Sequence, residues 1–386
     1  DVTDTRRMRM FYNGEPVADL SREFIDSAGA PHYADVFVSA VEDINPLKRQ
    51  PEGETTAQRM LADMASDNVT SQKGLIEMFD SSIGASTVLM PFGGKRQATE
   101  TQVSVQKLPV DGYTNTASMM AFGYNPYLTS WSPYHGAAYA VVEAIAKCVA
   151  AGAEYEGMRF SYQEYFEKMS SRKAWGKPLA ALLGAFEMQL GFGLPAIGGK
   201  DSMSGTFAEL NVPPMLMAFG VATVDARRVI SPEFKAAGHK LYLVDTVLRE
   251  DFFPDVEGLK KTFRAVQEWI KDGKVISAYA ITNGGIAEAV CKSAFGNMTG
   301  ARLDCDTDTL FDYRPGAIIV ESTVELPAPA VLIGETLESA VIEIAGERIE
   351  LAALEAANTG RHSSIYPVSS GVAGDSPEIG VITMSE

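Results

Sequence analysis

The alternation of short strand-like runs with helical segments constrains this chain more than any other feature. A helix is predicted over residues 133–151, because apolar residues recur there at helical spacing and Gly152 follows as a stop. Further helices are predicted at residues 55–65, 179–190, 256–271 and 285–294, and strands at 87–90, 101–107, 117–123, 157–162, 214–224, 240–244, 275–281, 317–322, 331–333 and 341–344. Such alternation predicts an α/β fold.

Length and composition exclude several classes of protein. A chain of 386 residues, 46% hydrophobic and 22% charged, is predicted to fold as about two globular domains. The net charge of −17 argues against nonspecific binding to nucleic acid or to an anionic membrane. The longest charge-free stretch, 112–142, is interrupted by prolines and does not predict a membrane span. The three cysteines, Cys148, Cys291 and Cys305, lie far apart and are typical of reduced intracellular thiols.

The beginning of the chain differs from the rest. Residues 8–20 predict two short strands around an Asn-Gly turn, with nothing nearby long enough to cover them. Residues 42–54 are rich in charge and proline and predict a linker. Because position 1 is Asp rather than Met, we expect the chain to be a piece of a longer protein.

Residues 195–206 carry the clearest chemical signal. They follow an apolar run and combine three glycines, one cation and hydroxyl groups, namely Gly198, Gly199, Gly205, Lys200, Ser202 and Ser204. A glycine-rich loop lets backbone N–H groups face an anion, and lysine and serine add charge and donors. Asp201 would then help to hold a metal ion that bridges the phosphates. The spacing is neither that of a P-loop nor G-x-G-x-x-G, so a phosphate site and an ordinary surface turn both stay open.

Two further candidates are weighed against structural roles. Glu143 and Lys147 lie four residues apart on the predicted helix, where an ion pair is favoured over a ligand role. His135 lies at the start of the same helix without an acidic partner nearby in sequence, so we interpret it as structural. The sequence assigns no catalytic residue.

Four segments, taken in order, resemble a known family. They are residues 8–20, residues 60–71 with Phe79-Asp80, residues 132–137 (Ser-Pro-Tyr-His-Gly-Ala) with 140–144 and 150–154, and residues 198–204, which contain Gly-Lys-Asp-Ser-Met-Ser. Together they resemble the second half of the synthetase core of phosphoribosylformylglycinamidine synthase, an ATP- and glutamine-dependent amidotransferase of purine biosynthesis. The resemblance covers nearly the whole chain.

The resemblance implies an aminoimidazole-ribonucleotide-synthetase-like α/β architecture. We expect a tail of the preceding domain and a linker at 1–54, and an N-terminal ATP-binding-type domain at 55–229 whose strands form a barrel with a sister domain. A three-layer C-terminal domain is expected at 230–370, followed by a tail at 371–386. The implied reaction is a carbon–nitrogen ligation. ATP activates the formamide oxygen of formylglycinamide ribonucleotide, and ammonia from glutamine displaces the phosphate.

The resemblance also implies site residues and cofactors. Gly199 and Lys200 match positions that meet nucleotide and magnesium, and Ser202, with Ser204, matches the position that binds the phosphate of the substrate. ATP and Mg²⁺ are the implied cofactors, with Asp201 and Glu143 as metal candidates.

A second, auxiliary nucleotide site of the family is eroded in this sequence. Lys147 replaces an asparagine, and residues 279–285 lack the acidic groups of the family loop. We therefore expect this site to be empty or to take only an anion, at the helix start formed by Thr282, Asn283, Gly284 and Gly285.

The implied partners are the first half of the synthetase core, a glutaminase domain and formylglycinamide ribonucleotide, in the cytoplasm. Alone, the chain is expected to be inactive and to form a homodimer through exposed strands, because unpaired strand edges seldom stay unpaired. Two alternatives stay open: a free-standing synthetase or kinase of the same superfamily, and a non-catalytic scaffold half with a degenerate nucleotide site.

Overall fold

A computed structural model of the chain describes residues 2–27 and 33–368. The first residues form the predicted hairpin, whose strands pair around a turn at Asn13 and Gly14, both with positive φ angles (50° and 86°). The elements up to the first large sheet are β1 (Arg7–Tyr12), β2 (Glu15–Ser21), α1 (Arg22–Ser27), α2 (Thr56–Met64), α3 (Lys73–Ile76), β3 (Phe92–Gly93) and β4 (Thr99–Glu100).

A five-stranded sheet with two long helices on one face makes up the next part of the chain. Its elements are β5 (Ser104–Lys107), β6 (Thr116–Gly123), α4 (Pro126–Trp131), α5 (Pro133–Ala150), β7 (Arg159–Tyr165), α6 (Arg172–Phe192), β8 (Ala196–Ser202), β9 (Thr206–Phe207), β10 (Leu210–Asn211) and β11 (Met215–Asp225). The strand order is β5-β6-β11-β7-β8; β7 and β8 pair in parallel, and the other neighbouring strands pair antiparallel.

The two faces of this sheet differ in what covers them. Along β6, Ala117, Met119 and Ala121 are buried in the core with α5, as alternation along a strand requires. Met120 and Phe122 point to the opposite face and are 44% and 48% exposed. The helix-free face of the sheet therefore presents large apolar side chains to solvent.

Helix α5 is buried along nearly its whole length. It begins where the Ser132 side chain accepts the backbone N–H of His135 and Pro133 occupies the first turn. Glycines allow its close packing: a Cβ on Gly184 of α6 would lie 1.9 Å from the carbonyl oxygen of Tyr134. The residues of α5 pack against both large sheets of the chain.

A seven-stranded mixed sheet follows. Its elements are β12 (Lys240–Val244), α7 (Val256–Lys271), β13 (Val275–Ala280), α8 (Gly285–Phe295), β14 (Gly300–Leu303), β15 (Ile318–Ser322), β16 (Ala330–Leu337), β17 (Val341–Ile344), β18 (Glu347–Glu350) and α9 (Leu351–Gly360). The strand order is β13-β15-β12-β16-β14-β17-β18. Alternate residues of β12 pack into two different hydrophobic cores. Tyr242 and Val244 lie in the core that contains residues of α5 and α7, whereas Leu241 and Leu243 lie in the core that contains residues of α2 and α8. The sheet is thus the middle layer of three.

Several predicted elements agree with the structure to the residue, namely those at 240–244, 256–271 and 341–344. Helix α6 begins seven residues earlier than predicted, with the Ser171 side chain capping it and Pro178 inside it. The prediction of a strand at 87–90 was wrong, since only Thr87 forms an isolated bridge to Gln106. Strands β14 and β18 and helices α4 and α9 were not predicted.

The main correction concerns the glycine-rich loop predicted at 195–206. Residues 196–202 form strand β8, paired in parallel with β7 from Phe160 to Tyr165. Glycine has a low propensity for strands, but such propensities depend on context. Here the pairing with a neighbouring strand outweighs that low propensity. Gly198 (φ +151°) lies at the irregularity in this ladder.

No helix in residues 2–27 and 33–368 is long and apolar enough to span a membrane.

We expect Gly184→Ala to lower the free energy of unfolding by about 1–3 kcal/mol, although alanine is normally better than glycine inside a helix. The reason is the contact with the Tyr134 carbonyl, which cannot move away without displacing α5. Urea unfolding measures the loss. Gly157→Ala is the control because nothing lies within 4 Å of its added Cβ. Equal stability of both variants would contradict the close packing of α5 and α6.

Candidate functional site

Strand β8 separates the predicted phosphate-binding residues onto two faces. In the parallel ladder Lys200 is paired with Gln163 and Ser202 with Tyr165, whereas Asp201 is paired with Glu164. Since successive side chains of a strand point to opposite faces, Lys200 and Ser202 share one face and Asp201 lies on the other.

Lys200 and Ser202 form a small polar group on the helix-free face. The ammonium of Lys200 donates a hydrogen bond to the hydroxyl of Ser202. Lys200 is exposed, and β8 is an edge strand whose other side has no partner within the described residues. Ser204, the other predicted phosphate ligand, is exposed and lies beyond the strand, where its carbonyl accepts the N–H of Thr206 at 2.9 Å.

Gly199 has a packing role on this strand. A Cβ at this position would lie 2.7 Å from the carbonyl oxygen of Tyr162 on β7. The close approach of two backbones therefore explains this glycine, and its predicted nucleotide contact stays a prediction.

The other face of β8 lines a cleft of about 550 Å³ against α6. Glu164 is 5% exposed, yet its Oε1 has no hydrogen-bond partner, and the buried hydroxyl of Tyr162 has none either. Burial, together with the negative charge of Asp201, raises the pKa of Glu164 to about 7. The side of β8 that carries Asp201 is therefore acidic, and nothing in the described residues neutralises it.

A second cleft, of about 400 Å³, contains a network of buried charges. The ammonium of Lys292 on α8 lies 2.6 Å from Glu100 and 2.9 Å from Glu288. Lys292 is 4% exposed and Glu288 is 2% exposed. Burial alone would lower the pKa of Lys292, but the two carboxylates outweigh it and raise this pKa well above its usual value.

Glu143 and Lys147 form a similar pair in the same cleft. They are 4% and 7% exposed, and the ammonium of Lys147 lies 2.7 Å from the Glu143 carboxylate. Lys147 also donates to the carbonyl of Phe122 at 2.9 Å. The ion pair predicted for these residues is thus present. The structure gives Glu143 an ammonium partner where the sequence had suggested a metal ion.

The segment predicted to bind an anion already donates to a carboxylate of the protein. Glu288 accepts a hydrogen bond from the hydroxyl of Thr282 and another from the N–H of Gly284, each at 2.7 Å. The N–H of Gly285 donates to the carbonyl of Thr282 at 3.2 Å. The side chain of Asn283 accepts from Asn125 at 2.6 Å. The Glu288 carboxylate therefore occupies the position that we predicted for an external anion.

Asp63 extends this network towards the linker. It is fully buried, and Arg49 lies 2.8 Å from its Oδ1, but its Oδ2 has no partner. Burial raises the pKa of Asp63 to about 7, with Glu288 adding to the effect and Arg49 opposing it. Arg49 also donates to the carbonyl of Asn283, so the linker closes over the end of the cleft.

These contacts bear on whether a magnesium-bound nucleotide fits this cleft. The carboxylates that would ligate Mg²⁺ are paired with Lys147 and Lys292, and a protonated lysine cannot itself be a ligand. The residues that line this cleft therefore do not fit a magnesium-bound nucleotide. In the part of the chain that the structure describes, no three His, Cys, Asp or Glu side chains converge as a metal site, and Asp201 and Glu143 line different clefts.

His135 is held by two neighbours. One ring nitrogen lies 2.8 Å from the Ser132 hydroxyl and the other 3.0 Å from the carbonyl oxygen of Asp251. Burial lowers its pKa. Both nitrogens are engaged by the fold, as expected for a structural histidine.

The arrangement of the sheets and helices is that of the aminoimidazole-ribonucleotide-synthetase-like fold. Solved structures of PurL from Thermotoga maritima share it. The chain in the PurLQS structure matches with a TM-score of 0.60 and 18% identity over 87% of this chain and 50% of that one. The PurL complexed with ATP matches with a TM-score of 0.59 and 16% identity, covering 86% and 48%. The predicted fold class is confirmed.

Curated relatives confirm the predicted resemblance. Phosphoribosylformylglycinamidine synthase subunit PurL of Picrophilus torridus is 23% identical over 348 residues, which cover 83% of this chain and 45% of the relative. The same subunit of Brucella ovis is 24% identical over 382 residues, covering 93% and 47%. The chain thus spans about half the length of the curated relatives it matches. The sequence matches no protein-family model.

Some residues of these clefts were missed by sequence reasoning. Lys292 lies four residues after Glu288, and this spacing on a predicted helix was a usable signal for an ion pair. Glu164 gave no comparable signal, because its burial depends on helix α6 packing over β7 and β8.

We expect Lys292→Met to lower the free energy of unfolding by about 3–5 kcal/mol, because it leaves the buried carboxylate of Glu288 and the half-buried carboxylate of Glu100 without their cation. Chemical denaturation measures the loss. Lys274→Met is the matched control, since Lys274 pairs with Asp272 at the surface and its removal should change stability by about 0–1 kcal/mol. A loss no larger than that of the control would show that the buried network is not required.

We expect Glu164→Gln to stabilise the chain at neutral and higher pH. The pKa of Glu164 is about 7 in the folded protein and near 4.5 in the unfolded chain. The folded state therefore holds the proton more tightly, and the wild type loses stability as the pH rises from about 4.5 to 7. The variant should match the wild type near pH 4 and exceed it by up to about 3 kcal/mol above pH 7. Urea unfolding across this pH range measures the difference. Glu268→Gln, at an exposed position of α7, controls for the loss of one negative charge. A difference that does not vary with pH would contradict the raised pKa.

Proposed function

We propose that this chain is the second half of the synthetase core of a phosphoribosylformylglycinamidine synthase, a cytoplasmic ATP-dependent ligase of purine biosynthesis. Its edge strand β8 then presents Lys200 and Ser202 to a phosphate group of formylglycinamide ribonucleotide or of ATP. The support comes from the resemblance over nearly the whole chain and from the curated relatives. A T. maritima PurL that shares the fold is complexed with FGAR in one solved structure and with ATP in another.

The observation that carries the proposal is the pairing of Lys200 with Ser202 on one face of an open strand edge. An ammonium and a hydroxyl group at this spacing provide charge and a donor for one phosphate group. Because Lys200 is exposed, its ammonium can exchange the Ser202 hydroxyl for a phosphate oxygen without movement of the backbone.

The remaining parts of the site belong to the half that this chain does not span. Mg²⁺ would accompany ATP, and we assign its main ligands to that other half. In this chain Asp201 faces away from Lys200, and Glu143 is paired with Lys147. Ammonia would come from glutamine hydrolysed by a separate glutaminase domain. The chain alone is therefore expected to be inactive.

The helix-free face of the five-stranded sheet fits the sister half as a partner. Met120 and Phe122 are exposed on this face, together with Val221 of β11. Packing a second sheet over them would bury this apolar surface, and pairing of its strands with β5 and β8 would cover the open edges. In the absence of the sister half, the same surface would make the isolated chain a homodimer.

A second candidate function is a scaffold half without ligand contacts. One observation favours it: the buried lysines 147 and 292 neutralise the cleft between the sheets from within. The two candidates differ in whether Lys200 and Ser202 contact a ligand.

The test uses this chain assembled with the first half of the synthetase core. We expect Ser202→Ala and Lys200→Ala each to weaken the binding of formylglycinamide ribonucleotide or Mg-ATP by about tenfold or more, since a hydrogen bond to a charged group is lost. Isothermal titration calorimetry measures the affinities. Lys261→Ala removes an equal charge from the exposed surface of α7 and is the matched control.

The outcomes separate the two candidates. Assembly with unchanged affinity for both ligands in Ser202→Ala and Lys200→Ala would reject the phosphate role and favour the scaffold. Failure of the two halves to assemble would contradict the proposal that the sister half covers the sheet.

A further inference from the structure

The cleft between β8 and helix α6 contains buried polar atoms without hydrogen-bond partners. Only 5% of Glu164 is exposed to solvent, and its Oε1 has no hydrogen-bond partner. The hydroxyl of Tyr162, two residues away on the same face of β7, is also buried and unpartnered. Asp201 is paired with Glu164 in the ladder and lines the same cleft at an exposed position. Buried polar groups in proteins are nearly always paired, so the two unpaired buried atoms in this cleft, Glu164 Oε1 and the Tyr162 hydroxyl, indicate a missing partner.

The charges around the cleft show what kind of partner is missing. Its titratable groups all come from β7 and β8, and they are Tyr162, Glu164, Lys200 and Asp201. The side chain of Lys200 points to the other face and donates to Ser202. Neither β11, which places Leu216 beside Glu164, nor α6 adds a cation. The cleft therefore has a net negative charge.

The opposite wall of the cleft is mostly apolar, with Gln189 as its polar side chain, whose Oε1 accepts the N–H of Ala196 at 2.9 Å. It is formed by the side chains of α6 that reach over the strands, including Leu182, Leu183 and Phe186, which are 49%, 49% and 55% exposed. The described residues bring no third carboxylate, histidine or cysteine to this cleft, and an apolar wall gives a hydrated metal ion little to bind. An organic cation suits both walls. Its charged group would meet the carboxylates, and its hydrocarbon part would cover the leucines.

We propose that this cleft binds a small organic amine, whose ammonium group is held by Glu164 and Asp201, with Tyr162 as a further acceptor, and whose apolar body packs on α6. The volume of about 550 Å³ lies within the range of small-molecule sites. The site is independent of the proposed phosphate contacts, because these lie on the opposite face of β8.

The ionisation of Glu164 predicts how the affinity for an amine changes with pH. With a pKa of about 7, Glu164 is mostly protonated near pH 6 and mostly ionised near pH 8. An alkylamine resembles lysine and keeps its positive charge throughout this range. Binding of the amine should therefore be about tenfold tighter near pH 8 than near pH 6.

The experiment titrates the full chain with phenethylamine and, as a neutral analogue of the same shape, with 2-phenylethanol. Calorimetry or ligand-observed NMR measures the affinities. We expect saturable binding of the amine that is at least tenfold tighter than that of the alcohol. Glu164→Gln should weaken amine binding by tenfold or more while keeping the size of the side chain. Asp201→Asn, at an exposed position, is a second variant that does not depend on the tolerance of a buried site.

Ser202→Ala tests the two faces of the strand. It should weaken phosphate binding under the proposed function and leave the affinity for phenethylamine unchanged, so the failure of one proposal is distinguishable from that of the other. Three results would overturn the amine site: no saturable binding of phenethylamine, equal affinity for the amine and the alcohol, or an affinity that Glu164→Gln and Asp201→Asn both leave unchanged.

Discussion

The burial of helix α5 between the two sheets is the constraint on which the rest of the structure depends. The helix contacts β6 and β11 on one side and β13 and α7 on the other, so it connects the two units of the chain. Such contacts require small side chains and glycine at the crossings, as at Gly123 of β6, where a Cβ would lie 2.1 Å from the carbonyl oxygen of Ala140. They also bring Glu143 and Lys147 into the core, where each charge needs the other.

The two clefts of the chain differ in whether their carboxylates have cation partners within the protein. Between the sheets, lysines 147 and 292 neutralise the carboxylates from within the protein, and the helix start at 282–285 is already bonded to Glu288. Beside β8, the carboxylates have no cation, and the neighbouring lysine points elsewhere. In the first cleft the carboxylates of Glu143 and Glu288 have cation partners within the protein, whereas in the second Glu164 has none.

Much of this fold could be predicted from the sequence, and the exceptions have physical reasons. Apolar periodicity located helix α7 and strand β12 to the residue, because each buries one clear set of side chains. Glycine-rich composition was misleading at 196–202, where a parallel neighbour holds the backbone extended. In the site, the Glu143–Lys147 pair followed from helical spacing alone. The isolation of Glu164 could not be predicted, since it depends on a helix that reaches the strand only in the folded chain.

The alternating faces of β8 also limit how this segment can vary in evolution. Substitutions at Lys200, Asp201 or Ser202 change one surface at a time, since each side chain belongs to one face. A single inserted or deleted residue between Gly198 and Ser202 would shift the register by one and exchange the two faces. The lysine would enter the acidic cleft and the aspartate would move to the open edge, so both surfaces would reverse their charge together. Homologous segments are therefore expected to keep this length even where their residues differ.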